Sequence, residues 1–112
     1  MKALLLSFVL ALSAQADDVR VYYGSADADS LATVDAREAF SHIAEYRTIL
    51  REGYGPESPE YWILLERANR SFYAALDRVA RRMHIDAIVE ARGRARRDAE
   101  DLTSNVVAEL SR

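Results

Sequence analysis

"LATVDAREAF", Leu31 to Phe40, begins as a strand and ends as a helix. Where that hand-over falls decides the fold. Leu31, Thr33 and Asp35 alternate with Ala32 and Val34, the period of two that suits a short strand over about 31–35. After Asp35 the period changes, because Ala36, Phe40, Ile43, Arg47 and Leu50 fall 4, 3, 4 and 3 residues apart, the seam of a helix that faces another helix. Asp35 suits the N-cap, where its carboxylate can accept a backbone N–H from the open helix start.

Downstream, "EGYGPESP" (Glu52–Pro59) holds two glycines and both prolines of the chain, so a first helix of about 17 residues must stop there. Ser58-Pro59-Glu60 restarts it, with a hydroxyl at the cap, proline at the first helical position and an acid in the first turn. From there Tyr61, Leu65, Ala68, Phe72, Ala75, Val79 and Arg82 step by 4, 3, 4, 3, 4 and 3, with Trp62, Leu76 and Met83 widening the stripe. Two antiparallel helices over about 36–83 follow, because each stripe would otherwise face water. Their expected seam is Phe40, Ile43, Leu50, Leu65, Phe72 and Val79. Near the hairpin tip Trp62 either packs over the turn or, with Tyr61 and Tyr54, offers a sticky contact to exposed apolar polypeptide.

On either side of the hairpin the chain returns to period two. "VRVYY" (Val19–Tyr23) reads as a first strand and "HIDAIVE" (His84–Glu90) as a third over about 85–90. In the third strand Ile85, Ala87 and Val89 point one way and Asp86, Ile88 and Glu90 the other, the acids marking a wet face. The close, "DLTSNVVAELSR", suits a short helix over about 103–110, with Thr103 as its cap and Leu102 stapled to Val107. The fold class is α+β: a small β-sheet or barrel with an inserted antiparallel helical hairpin and a short C-terminal helix.

The first 16 residues, "MKALLLSFVLALSAQA", have the charged start, apolar run and small residues at alternate positions of a secretory signal peptide. Cleavage near Ala16 leaves residues 17–112 as one exported domain. With no cysteine, that domain relies on packing or assembly and not on disulfides. The sole lysine lies in the leader, so the mature part carries 14 arginines against 18 acids, a charge of −4 that disfavours nucleic acid as a partner. At 50% hydrophobic residues the chain is too apolar to read as disordered.

Few residues suggest chemistry. Asp27 and Asp29 lack the further oxygen ligands of a calcium loop. His42 and His84 lie on different helical stretches, without a serine or cysteine at a recognisable spacing. The reading is of a non-enzyme with no catalytic, cofactor or metal residues. "RGRARR" concentrates Arg92, Arg94, Arg96 and Arg97, and outside the cytoplasm such a cluster suits anionic lipid or lipopolysaccharide head groups. The neighbouring acids of Asp98–Asp101 offset much of that field.

Three segments in order carry a resemblance. "LATVDAREAF", "IDAIVEARG" and "DLTSNVVAEL" resemble the opening strand-to-helix segment, the strand after the hairpin, and the closing helix of the Skp/OmpH periplasmic chaperones. The resemblance spans most of Leu31 to Leu110. It implies a homotrimer whose strands form a small barrel, with Leu31, Val34, Ile85, Ala87, Val89, Val106 and Leu110 at the assembly interface. It also implies helical arms that hold unfolded outer-membrane proteins without ATP, in the periplasm. The arms of that family are long coiled coils, whereas 49 residues, Ala36 to His84, separate the strands here. A first helix of about 17 residues reaches roughly 25 Å, enough to cradle a segment of a client. The reading from another class is a structural or adaptor protein of the envelope that binds one defined partner through the hairpin.

Overall fold

Asp35 performs the hand-over expected of it. It leaves the extended region at φ −88° and ψ 101°, and its Oδ1 accepts the Glu38 backbone N–H at 3.2 Å. The computed structural model describes residues 20–25, 27–91 and 99–112. Among them the order is β1 (Val21–Tyr23), β2 (Leu31–Val34), α1 (Ala36–Phe40), α2 (Ala44–Glu52), α3 (Pro59–Met83), β3 (Ala87–Glu90), β4 (Glu100–Asp101) and α4 (Thr103–Leu110). The four strands form one sheet in the order β1-β3-β2-β4. β2 and β3 are parallel, from Leu31 opposite Ala87 to Val34 opposite Glu90. A parallel pair needs a long crossover, and α1, α2 and α3 supply it. β1 runs antiparallel to β3 with an irregularity between Val21 and Tyr23, and β4 runs parallel to β2.

One core lies between sheet and helices. Tyr22, Ala32, Val34 and Ile88 enter it from the strands, Phe40, Phe72, Leu76 and Val79 from the crossover, and Leu102 and Val106 from the C-terminal segment. Phe72 sits at its centre, fully buried, with its ring 4.9 Å from that of Phe40 and 5.5 Å edge-on from that of Tyr22. At Gly24, φ is +73° and a Cβ would overlap the Asp86 carbonyl oxygen, so only glycine lets the chain leave β1 this close to β3.

The first limb of the expected hairpin is not one helix. Ser41 to Ile43 interrupt it: the His42 and Ile43 amides reach back only three residues, to Ala39 and Phe40, and Ile43 is extended at φ −101° and ψ 124°. The break shifts the helical phase, so α2 turns Ile49 toward α3 and leaves Leu50 outside. Ile49 is 4% exposed and Leu50 62%, which corrects the expected place of Leu50 in the seam. α2 ends at Gly53 in the left-handed region, with the Tyr54 amide on the Ile49 carbonyl. α3 begins as expected, the Tyr61 N–H donating to Ser58 Oγ at 3.3 Å and Pro59 standing in the first turn. Its 25 residues give a rod of about 38 Å.

Two further corrections concern the sheet and the last helix. β4, where the sequence shows only acids beside the arginine cluster, is two exposed acidic residues paired with Ala32 and Thr33. Thr103 is not the cap of α4 but its first residue; its N–H and hydroxyl donate to Asp101 Oδ1 at 3.0 and 2.6 Å, and its hydroxyl accepts the Asp35 amide at 2.9 Å. Leu102 is not a surface staple to Val107 but lies fully buried in the core with Val106.

The phase shift has a direct test by chemical denaturation. Phe72→Ala is expected to lower stability by about 3–5 kcal/mol. Leu50→Ala should stay within about 0.5 kcal/mol of the wild type. A large loss at Leu50 would restore it to the seam.

Candidate functional site

The outer end of the α2–α3 pair is where apolar side chains outnumber the places to bury them. Ile49 and Leu65 alone are buried there, and Tyr46, Tyr54, Tyr61, Trp62 and Leu64 pack around them while keeping part of their surface in water. Leu50 and Ile63 are exposed outright, Ile63 at 49%. Trp62 lies over the turn, its Nε1 donating to the Pro56 carbonyl at 2.8 Å and its ring edge-on to Tyr61 at 5.0 Å. It is half-buried, and of the two readings of this residue the packing over the turn is the one its hydrogen bond shows. The Ser58 amide closes the turn on the Gly55 carbonyl.

A second polar feature escaped the sequence reading. Glu90 does not mark a wet face; it is 7% exposed, and its Oε1 accepts the Tyr22 hydroxyl at 2.7 Å and the Ala36 amide at 3.3 Å. The carboxylate therefore satisfies an open N–H at the start of α1 and ties β3 to both β1 and the crossover. Burial, then the bond to Glu90 and its charge, hold the Tyr22 hydroxyl well above the usual tyrosine range. Nothing local joins residues 68 apart, and alternation alone does not say which face the helices will cover.

A third cluster bolts α4 to α3. Glu109, 6% exposed, receives Arg78 Nε at 2.6 Å and Arg82 at 3.0 Å, with Arg112 at 3.8 Å. The Arg78 hydrogen bond is the main cause that keeps its carboxyl below the ordinary range, with burial acting in the opposite sense. Beside α4 a hollow of about 520 Å³ is lined by Glu38, His42, Asp101, Thr103, Ser104, Val107 and Ala108. Its hydrogen bonds join His42 to Glu38 at 3.0 Å, the Thr103 hydroxyl to Asp101 at 2.6 Å, and the Asp35 amide to the Thr103 hydroxyl at 2.9 Å. Among the described residues no group of three His, Cys, Asp or Glu could hold a metal ion, and no helix is long and apolar enough to cross a membrane.

The residues expected at an assembly interface divide. Val34 and Val106 belong to the core of the single chain, and Ala87 and Val89 are fully buried as well, so these four are not free for a second chain. The reason is that one chain supplies four strands with helices on them, where the expectation left the strands to be covered by neighbours. Leu31, Ile85 and Leu110 keep some surface. Phe40, Ile43, Leu65, Phe72 and Val79 are buried as expected of the seam, although Phe40, Phe72 and Val79 belong to the one cluster that also holds strand residues. Arg92, Arg94, Arg96 and Arg97 lie outside the described residues. No protein-family model matches the chain, and comparison with curated proteins and with solved structures returns no match.

Two measurements check the buried carboxylates. Tyr22→Phe removes a donor from buried Glu90 and should cost about 1–3 kcal/mol. Because the Glu109 carboxyl is depressed in the folded chain, its contribution is present above the unfolded glutamate value and is lost as pH falls through the folded one. Glu109→Gln should therefore lower the melting temperature at neutral pH and flatten its fall in acid. A wild-type acid limb that is unchanged in the variant would show that Glu109 does not bolt the helix.

Proposed function

We propose that the protein is a small ATP-independent holdase of the periplasm, which binds exposed apolar stretches of unfolded outer-membrane or other exported polypeptides through the outer end of the α2–α3 pair. One observation carries the reading. The pair keeps Leu50, Tyr54, Tyr61, Trp62 and Ile63 wholly or partly in water around a core of only two buried residues. A surface of this kind suits weak, sequence-tolerant contact with apolar chain. The signal-like leader and the three segments that resemble Skp/OmpH chaperones support the place and the class.

On this reading the working unit is a homotrimer, and its contact lies at the sheet edges. Among the described residues β1 and β4 end the sheet, and such edges invite pairing with another strand. Three arms acting together would multiply a weak contact. A lipid or lipopolysaccharide contact through Arg92, Arg94, Arg96 and Arg97 would hold such a trimer near a membrane surface.

A specific observation favours the adaptor reading as second. The Trp62–Pro56 bond and the closed turn fix the tip before anything binds, which suits one defined partner as well as many. Promiscuity separates the two. Light scattering of residues 17–112 should give a mass near three chains, and the protein should slow aggregation of several unrelated unfolded membrane proteins. Leu50→Asp and Ile63→Asp should remove most of that protection with the melting temperature unchanged. Protection of a single client would favour the adaptor, and a monomer that protects none would sink both.

A further inference from the structure

We infer that the outer end of the α2–α3 pair takes a polypeptide segment whose aliphatic or aromatic side chains are flanked by lysine or arginine. This rests on the reading above and adds the chemistry of the occupant. The apolar part of the contact is already formed. Trp62 is pinned to the Pro56 carbonyl and edge-on to Tyr61, and the Gly53 and Gly55–Ser58 turns set the backbone beneath them. A partner therefore meets a rigid aromatic platform and little ordering cost.

The charge around that platform is one-sided. From residue 51 to residue 64 the charged side chains are Arg51, Glu52, Glu57 and Glu60, a net of −2. Arg51 is bound to Glu52 at 3.5 Å, while Glu57 and Glu60 stand exposed and among the described residues no basic side chain pairs with them. Farther along α3, Arg70 pairs with Glu66, Arg81 with Asp77, and Arg78 and Arg82 with Glu109, while Arg67, seven residues beyond Glu60, stands exposed and pairs with neither tip carboxylate. The two helix ends that meet at the tip, the C-terminus of α2 and the N-terminus of α3, carry opposite partial charges and largely cancel. Two carboxylates beside an apolar surface thus lack internal compensation, and cations flanking an apolar segment would supply it. A second copy is a poor occupant, because a chain of net charge −3 brings more acid to an acidic tip.

The chain has a single tryptophan, and it stands on the platform, so its emission reports the contact directly. The purified protein is titrated with three synthetic peptides that share a short aliphatic–aromatic core and are flanked by lysines, serines or glutamates. The lysine-flanked peptide should bind about three- to tenfold more tightly than the serine-flanked one at low ionic strength. That preference should vanish in roughly 0.5 M salt. The double variant Glu57→Gln, Glu60→Gln should lose the preference while its serine-peptide affinity and melting curve stay as in the wild type. Equal affinity for all three peptides would overturn the charge inference and leave the apolar contact standing. Silence of the tryptophan toward every peptide would overturn both. A mass that rises with concentration and is reset by Ile63→Asp would place a second copy on the tip and overturn the inference as well.

Discussion

The parallel pairing of β2 with β3 is the constraint from which the other elements follow. Two neighbouring strands that run the same way cannot be joined by a tight turn, so the 52 residues between Val34 and Ala87 must leave the sheet and come back. The economical return is helical, and it has to bury an apolar stripe on the sheet it departs from. Phe72 sits where these demands meet, packed against Phe40 at the start of the crossover and Tyr22 on the antiparallel edge strand. Glu90 performs the polar part of the same task, joining the end of β3 to the start of α1 through one shared carboxylate oxygen.

How far this was legible in the sequence depended on how local each cause was. Asp35 and Ser58-Pro59 announced two helix starts because a cap is decided by a few adjacent residues. Phe72 and Val79 were legible because α3 keeps one phase along its whole length. Leu50 was misplaced because a short extended step at Ile43 resets the phase, and no single residue type in Ser41-His42-Ile43 forces such a step. Glu90 was misread because strand alternation separates two faces without saying which the helices will choose. β4 was missed because two acidic residues have no apolar pattern, and their pairing with β2 is fixed by Leu102 entering the core next door.

The candidate site was legible in its residues and less so in its setting. Tyr61, Trp62 and Tyr54 were singled out because the tip held more aromatic surface than a narrow seam could use. Their arrangement, with Trp62 held by the carbonyl of Pro56, comes from the tight turn and could not be read from spacing alone. The assembly residues show the opposite case. Val34, Ala87, Val89 and Val106 were placed at an assembly interface by the resemblance, and they are instead buried within the one chain.

α2 and α3 are unequal in a way that bears on internal motion. α3 is a continuous rod with its lower half built into the main core, whereas α2 is nine residues long. A helix that short does not persist in water by itself and is held by tertiary contact. That contact runs from Tyr46, edge-on to Phe40 at 5.4 Å, to Ile49 and Leu65 at the outer end. α2 therefore opens more readily than the continuous α3, and its backbone amides exchange with solvent before those of β2, β3 and the lower half of α3.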